Sequence, residues 1–142
     1  MHYNFHILCN INMNVNLGKR EVITSLEKLS DMSKLLQGNP GVIIMKLGAE
    51  WCGPCKRIES LVKQCMDQAP SNVQCAIIDV DESLEIYSFL KTKKVVNGIP
   101  AILGYYSGNL NYIPDEVVIG SDQNQVISFF QRCYKESEKR MV

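Results

Sequence analysis

Apolar runs alternate with amphipathic stretches along most of the chain, and this pattern predicts strands alternating with helices. Residues 42–47 are continuously apolar apart from Lys46 and lie between turn residues, which is typical of a strand buried on both faces. Residues 73–80 have the same character. Residues 101–106 and 117–119 lie on either side of a turn at 107–109, and they predict an antiparallel pair.

The clearest helix is predicted after the first apolar run. Pro54 suits its first turn and Pro70 suits its end, because proline lacks the N–H that a helix interior needs. Positions i, i+3, i+4, i+7, i+8 and i+11 form one apolar stripe, which consists of Ile58, Leu61, Val62, Cys65, Met66 and Ala69.

The other helix boundaries are predicted from capping residues. Thr24 and Glu27 have the spacing of a capping box, which predicts a helix through about Gln37 after a short edge strand at 20–23. Asp81 and Asp122 are the predicted N-caps of two later helices. The first contains Leu84, Ile86, Phe89 and Leu90, and the second has Val126, Phe130 and Cys133 facing inward.

These elements give the order β-α-β-α-β-α-β-β-α, an α/β fold whose mixed central sheet carries helices on both faces. Residues 1–18 are polar, rich in Asn and aperiodic, and they predict a flexible N-terminal arm that carries His2, His6 and Cys9. Residues 19–142 are predicted to form a single domain, because they contain no repeat and no linker.

Composition excludes several function classes. The 15 basic and 15 acidic residues cancel, which argues against nucleic-acid binding by charge. No apolar run approaches the ~18 residues of a membrane span, and residues 1–17 do not resemble a secretory signal. Six cysteines without a disulfide-framework spacing indicate a reducing compartment such as the cytoplasm.

Candidate chemistry lies at Cys52 and Cys55, where the first apolar run meets the clearest helix. Disulfide exchange needs one thiolate to attack and a second thiol to release the mixed disulfide. A helix N-terminus stabilises a thiolate and lowers its pKa from about 8.5 toward 7 or below. Zinc sites share this spacing but need four ligands, and the other Cys and His residues are scattered, so we expect no metal.

The run Trp51-Cys52-Gly53-Pro54-Cys55 resembles the active-site motif of the thioredoxin family. Ala49-Glu50 before it, Lys56 after it and Asn97-Gly98-Ile99-Pro100 further along extend the resemblance, which covers roughly residues 20–134. It implies the thioredoxin fold and reduction of protein disulfides, with the Cys52–Cys55 disulfide as the redox group and no other cofactor.

The resemblance also implies roles for single residues. Cys52 would be the nucleophile and Cys55 the resolving thiol. Trp51 would be a flat lid, and Gly53 and Pro54 are more typical of reducing thioredoxins than of isomerases.

Further residues would contact the substrate. The Ile99–Pro100 bond would be cis, and both residues would pair with the substrate backbone like an added strand. Gly120 would let the substrate approach. The implied partners of this predicted monomer are disulfide-bearing proteins and a flavoprotein disulfide reductase or other dithiol donor.

One position departs from the family. Its buried aspartate falls on Lys46, and the lysine partner of that aspartate falls on Ile77. A cationic Lys46 would stabilise thiolates, whereas a neutral one could accept the proton of Cys55. In a third, purely structural interpretation, Lys46 reaches solvent or pairs with an acid, and the candidates are Glu59, Asp79 and Asp81. All three interpretations stay open.

Residues 110–116 lengthen a connection that is short in the smallest thioredoxins. They are interpreted either as a partner surface or as a tolerated insertion. Cys65 and Cys133 are interpreted as packing residues. Cys9 is interpreted as an unreactive thiol, with a regulatory thiol as the alternative.

Two other functions compete with disulfide reduction. One is a binding or assembly subunit that keeps the fold and leaves the dithiol idle. The other is a disulfide oxidase or isomerase, since direction depends on potential and compartment. The lead-in at residues 45–50 is also similar to thioredoxin-like proteins of large DNA viruses, which adds the virion to the locations considered.

Overall fold

The computed structural model describes residues 19–141, so the predicted arm with Cys9 and both histidines lies outside the described residues. In chain order the helices and strands are α1 (Leu29–Gln37), β1 (Val42–Gly48), α2 (Gly53–Asp67), β2 (Val73–Asp79), α3 (Leu84–Thr92), β3 (Ala101–Tyr106), β4 (Glu116–Ile119) and α4 (Gln123–Lys139).

The four strands form one mixed sheet in the order β2-β1-β3-β4. The central strand β1 pairs with β2 in parallel and with β3 antiparallel. The last two strands, β3 and β4, are antiparallel neighbours. Both the mixed sheet and the antiparallel pair are therefore confirmed.

The sheet separates two hydrophobic cores, because successive side chains of a strand point to opposite faces. On one face α2 and α4 pack on Val42 and Ile44 of β1. On the other face α1 and α3 pack on Ile43 and Met45. Burial on both faces explains why β1 is almost entirely apolar, as predicted.

The predicted helical stripes are confirmed for α2 and α4. Every residue of the α2 stripe is at most 4% exposed, and Ala69 is buried just after the helix ends. Asp122 caps α4, where its carboxylate accepts a hydrogen bond from the Gln125 N–H at 3.0 Å. Among the described residues no helix is both long and apolar enough to cross a membrane.

The predicted first strand at 20–23 is wrong, because only Ile23 forms a β-bridge, to Ala76 in β2. Ile23 donates to the Cys75 carbonyl and accepts from the Ile77 N–H. Two residues earlier, the Glu21 carbonyl accepts from the Gln74 side-chain amide instead of a backbone N–H, so the ladder does not extend.

The predicted start of the first helix at Thr24 is also wrong. The helix begins at Leu29, where the Lys28 N–H donates to the Asp31 carboxylate at 3.0 Å. Leu26 lies in the core before the helix, and its carbonyl accepts a hydrogen bond from Ser83. This tertiary contact outweighs the local capping pattern.

Two details of the β2–α3 region differ from the prediction. Ser83 rather than Asp81 is the N-cap of α3, and the Asp81 carboxylate accepts a hydrogen bond from Trp51. Ile77 on β2 is 39% exposed, although a strand buried on both faces was expected. Its side chain lines a surface cavity beside Lys46 and Cys55, whereas Cys75, Ala76 and Ile78 of the same strand are buried.

Candidate active site

The two candidate cysteines lie where β1 ends and α2 begins. Cys52 is the N-cap of α2, and its Sγ accepts a hydrogen bond from the Cys55 N–H at 3.2 Å. The Cys52 carbonyl accepts from the Lys56 N–H at 3.2 Å. Cys52 and Cys55 pair as a disulfide with their Cα atoms 5.2 Å apart. The sulfur of Cys52 thus faces the unpaired N–H groups and positive dipole end of a helix.

The surface beside the dithiol is formed by Trp51, Gly53 and Pro54 of the sequence motif. Both cysteines are 4% exposed in this disulfide form, whereas Trp51 is 69% exposed. The Trp51 indole Nε1–H donates to the Asp81 carboxylate at 2.7 Å, which orients the ring. Gly53 is exposed, and Pro54 occupies the first turn of α2, where no N–H is needed.

A second set of predicted residues lies at the same end of the sheet, where β1 ends. Ala101 pairs with Leu47 of β1 and with Ile119 of β4, so Pro100 and Gly120 lie beside the end of β1. The Ile99–Pro100 peptide bond is cis. The Gly120 N–H donates to the Pro100 carbonyl at 2.8 Å.

Gly120 has a conformation that glycine favours. Its φ is +101°, and a Cβ added there would meet no atom within 4 Å. The backbone next to Pro100 therefore lies at an open surface. Trp51, Ile99, Pro100 and Gly120, which the sequence predicts to contact the substrate, are together called the substrate edge below.

Lys46 lies beneath the dithiol, on the sheet face covered by α2 and α4, and is 7% exposed. A Cβ built on Gly48 would lie 3.5 Å from Cys55 Sγ and 3.8 Å from Lys46 Cε. The two side chains therefore converge where Gly48 leaves room for them. Sequence reasoning missed Gly48, because no motif indicates which neighbours a glycine accommodates.

Lys46 opens into a cavity of about 420 Å³ that is also lined by Cys55, Glu59 and Asp79. Within residues 19–141 no carboxylate oxygen lies within 4.0 Å of Lys46 Nζ, so the direct pairing considered from the sequence is not formed. Burial lowers the pKa of the Lys46 ammonium, and the negative charge of Glu59 partly opposes this shift.

The remaining described cysteines lie in the core. Cys65, Cys75 and Cys133 are at most 3% exposed. Burial raises the pKa of the Cys75 thiol to about 12 and that of Cys133 well above its ordinary value. The Cys75 and Cys133 thiols therefore stay protonated. All three cysteines pack as small apolar groups, as expected for Cys65 and Cys133.

Nothing in the described part of the chain groups three or more His, Cys, Asp or Glu side chains as a metal site would require. Two acidic residues near the dithiol, Asp79 and Asp81, have other contacts. Asp81 accepts from Trp51, and Asp79 accepts from the Asp81 N–H at 2.8 Å.

The long connection at 110–116 is anchored to the domain. Tyr112 packs edge-on against Phe89 with ring centroids 5.1 Å apart, and its carbonyl accepts from the Tyr105 hydroxyl at 2.7 Å. Leu110 and Ile113 are 65% and 55% exposed. A partner surface at this connection stays a prediction.

The profile of the protein family described as Thioredoxin matches residues 24–132. The chain is 26% identical over 100 residues to the chloroplastic M-type thioredoxin of Pisum sativum, which covers 69% of this chain and 56% of that protein. It is 29% identical over 86 residues to thioredoxin of Bacillus subtilis, which covers 61% and 79%.

A third relative is thioredoxin 3 of Plasmodium falciparum, 26% identical over 97 residues that cover 68% of this chain and 51% of that protein. The chain thus spans about half the length of the plant and parasite relatives that it matches.

Solved structures match the fold. Trichomonas vaginalis thioredoxin superposes with a TM-score of 0.63 at 17% identity, covering 78% of this chain and 96% of that one. A Plasmodium falciparum thioredoxin gives 0.62 at 22% identity, covering 78% and 98%. The thioredoxin fold implied by the sequence is confirmed.

Proposed function

This chain belongs to the thioredoxin family, and on that premise we propose that it reduces protein disulfides through Cys52 and Cys55. One observation carries the proposal: the two cysteines form a disulfide at the start of α2, with Cys52 Sγ accepting the Cys55 N–H. This position favours a thiolate at Cys52, with a second sulfur close enough to complete the exchange.

The reaction proceeds in two exchanges. The Cys52 thiolate attacks one sulfur of the substrate disulfide, whose other sulfur leaves as a thiolate, so a mixed disulfide forms. Cys55 then loses its proton and attacks Cys52 Sγ. The Cys52–Cys55 bond forms, the bond to the substrate breaks, and the substrate leaves as a dithiol that has gained two electrons.

The substrate edge is proposed to bind the polypeptide around the target disulfide. Ile99 and Pro100 precede β3 at the end of the sheet, where an extended segment can pair with backbone groups. Trp51 offers an exposed aromatic surface beside it, and the open space at Gly120 leaves room for the substrate backbone. Gly53 and Pro54 form the rim next to Cys52.

The proposed partners are disulfide-bearing proteins and a donor that reduces the Cys52–Cys55 bond again, either a flavoprotein disulfide reductase or another dithiol. We propose a monomer in a reducing compartment.

The relatives named above come from a plant, a bacterium and a parasite, and they give no support to a location in the virion. The family match and the intact cysteine pair do not favour an idle-dithiol subunit. The named relatives are thioredoxins, which does not favour an oxidase or an isomerase.

Reduction of insulin by dithiothreitol, followed as turbidity of the released chains, tests the proposal. The wild type should accelerate precipitation, and Cys52→Ser should return the rate to the uncatalysed level. Cys75→Ala is a matched control, because Cys75 is a buried thiol away from the dithiol. Full activity of Cys52→Ser would refute the assignment.

The resolving role of Cys55 has a separate test. Cys55→Ser can make the first attack but not the second, so it should accumulate a mixed disulfide with the substrate. Mass spectrometry of the non-reduced adduct should place the bond on Cys52. Release of the substrate at the wild-type rate would contradict the role of Cys55.

A further inference from the structure

A buried lysine without an ion pair lies beside the resolving cysteine. Lys46 is 7% exposed, and its Cε and the Cys55 Sγ lie within 4 Å of the same point above Gly48. The cavity that joins them has a volume of about 420 Å³. A space of that size admits several water molecules, each of which needs about 30 Å³.

The second exchange requires a proton acceptor at this place. Cys55 is a poor nucleophile as a thiol, and it attacks the mixed disulfide only after its proton has left. In this structure Cys55 is 4% exposed, and it lines the cavity. A side chain that lines the same cavity is therefore placed to accept the proton, directly or through cavity water.

Five charged residues line that cavity: Glu50, which follows β1, Lys56 and Glu59 of α2, Asp79 of β2, and Lys46 of β1. The neighbour of Lys46 on β3 is Ile102, which carries no charge. Of the five, Lys46 alone is buried, whereas Lys56 and Glu59 are exposed. Asp79 already accepts a hydrogen bond from the Asp81 N–H.

We propose that Lys46, as the neutral amine, takes the proton of Cys55 across this cavity in the second exchange, and that Glu59 stabilises the ammonium formed. Glu59 lies one helical turn after Cys55, and its charge acts on Lys46 without a direct ion pair. The inference rests on the proposed function and adds a proton path to it.

The step balances as follows. The Cys55 S–H bond breaks and its proton goes to the lone pair of Lys46 Nζ. The Cys55 thiolate forms a bond to Cys52 Sγ, and the substrate sulfur leaves with the electron pair of the broken bond. The ammonium then returns its proton to solvent through the cavity mouth.

The electrostatics of the site support this role. Burial lowers the pKa of Lys46 from its ordinary value of 10.5, so the neutral amine is more populated near neutral pH than for an exposed lysine. A base works best when its pKa is close to the operating pH.

Stopped-flow reaction of the reduced protein with 5,5′-dithiobis(2-nitrobenzoate) separates the two exchanges. The first thionitrobenzoate is released by the attack of Cys52 and the second by that of Cys55. For Lys46→Met at pH 7 we expect the second phase to slow by about tenfold or more, with the first phase within about twofold of wild type. Lys63→Met, an exposed lysine on α2, is the matched control and should change neither phase.

Two further readouts distinguish a base from a packing residue. The slowing of the second phase in Lys46→Met should become smaller at alkaline pH, where hydroxide can deprotonate Cys55. Lys46→Asp, which supplies another proton acceptor, should recover most of the second-phase rate. Glu59→Gln should slow the second phase less than Lys46→Met.

An unchanged second phase in Lys46→Met, or equal slowing of both phases at every pH, would overturn the inference. Neither result would affect the proposed function as long as a first phase that depends on Cys52 is present. Loss of the first phase from the wild type would instead refute the proposed function itself.

Discussion

The two sides of the dithiol are built from different groups. On the substrate edge, the Gly120 N–H donates to the Pro100 carbonyl, and a conformation with φ of +101° leaves an open surface. On the cavity side, buried Lys46 and exposed Glu59 face Cys55. One side is shaped by the backbone and the other by ionisable side chains.

The same division appears in the resemblance to the family, which Pro100 and Gly120 match and Lys46 does not. A surface made of backbone groups depends on the path of the chain around Pro100 and Gly120. A proton path depends only on an acceptor of suitable pKa in the right place. A lysine can therefore stand where the family has an acid, provided that its burial adjusts its pKa.

The largest effect is expected from a side chain on the substrate edge. Gly120→Val places a β-branched residue at φ of +101°, and we expect it to cost about 1–3 kcal/mol of stability. It should also slow insulin reduction by about tenfold, since the added carbons occupy the space proposed for the substrate backbone. Initial rates at saturating dithiothreitol measure this effect.

Gly108→Val is the matched control for that experiment. Gly108 has a φ of +96° with open space around it, but it follows the opposite end of β3. A similar loss of stability with normal insulin reduction is expected. If both variants slow the reaction equally, strain alone accounts for the loss, and the role of Gly120 in substrate binding is wrong.

The cavity side makes a prediction about stability. Below its lowered folded-state pKa, Lys46 is a charge that must be buried without an ion pair, and this opposes folding. Lys46→Met should therefore stabilise the protein by about 1–3 kcal/mol at pH 7 in urea unfolding.

The sign of the pH dependence follows from the direction of the pKa shift. Between the lowered folded-state pKa and 10.5 the unfolded chain binds more protons than the folded one, so wild-type stability rises with pH. The advantage of Lys46→Met should shrink across this range. Lys63→Met should show no such trend, and a pH-independent advantage for Lys46→Met would contradict the shift.

The smallest effect is expected at the hydrogen bond between Trp51 and Asp81. Trp51→Phe removes the indole N–H that donates to Asp81 and keeps an aromatic ring. The free energy of unfolding should fall by about 0.5–1 kcal/mol, and insulin reduction should slow by about twofold. Asp81→Asn keeps an acceptor oxygen and should change less. A tenfold loss in Trp51→Phe would show that the indole itself recognises the substrate.

The sequence predicted the long amphipathic helix α2 and the strand β1 correctly, because α2 has an apolar stripe at helical spacing and β1 is a continuous apolar run between turn residues. It also placed Cys52 and Cys55 between them. It failed where tertiary contacts decide the outcome. The Thr24–Glu27 pattern did not start a helix because Leu26 packs in the core. Ile77 is exposed because it lines the cavity beside Lys46, and the sequence of one strand does not indicate a cavity.

The environment of Lys46 could not be read from the sequence either. Alignment of the motif showed that a lysine occupies the position, but not whether it reaches an acid. That depends on where the packing of α2 on β1 places Glu59 relative to Lys46. The sequence does not give the relative position of two side chains on different elements.

Disulfide reduction by this chain requires a reactive thiolate on Cys52 at the start of α2. Brief alkylation of the reduced protein with iodoacetamide at pH 7, followed by peptide mass spectrometry, measures that reactivity. We expect Cys52 to be modified first, while Cys55 and Cys75 stay unmodified. Modification of Cys55 before Cys52, or no modification of Cys52 under conditions that alkylate glutathione, would contradict it.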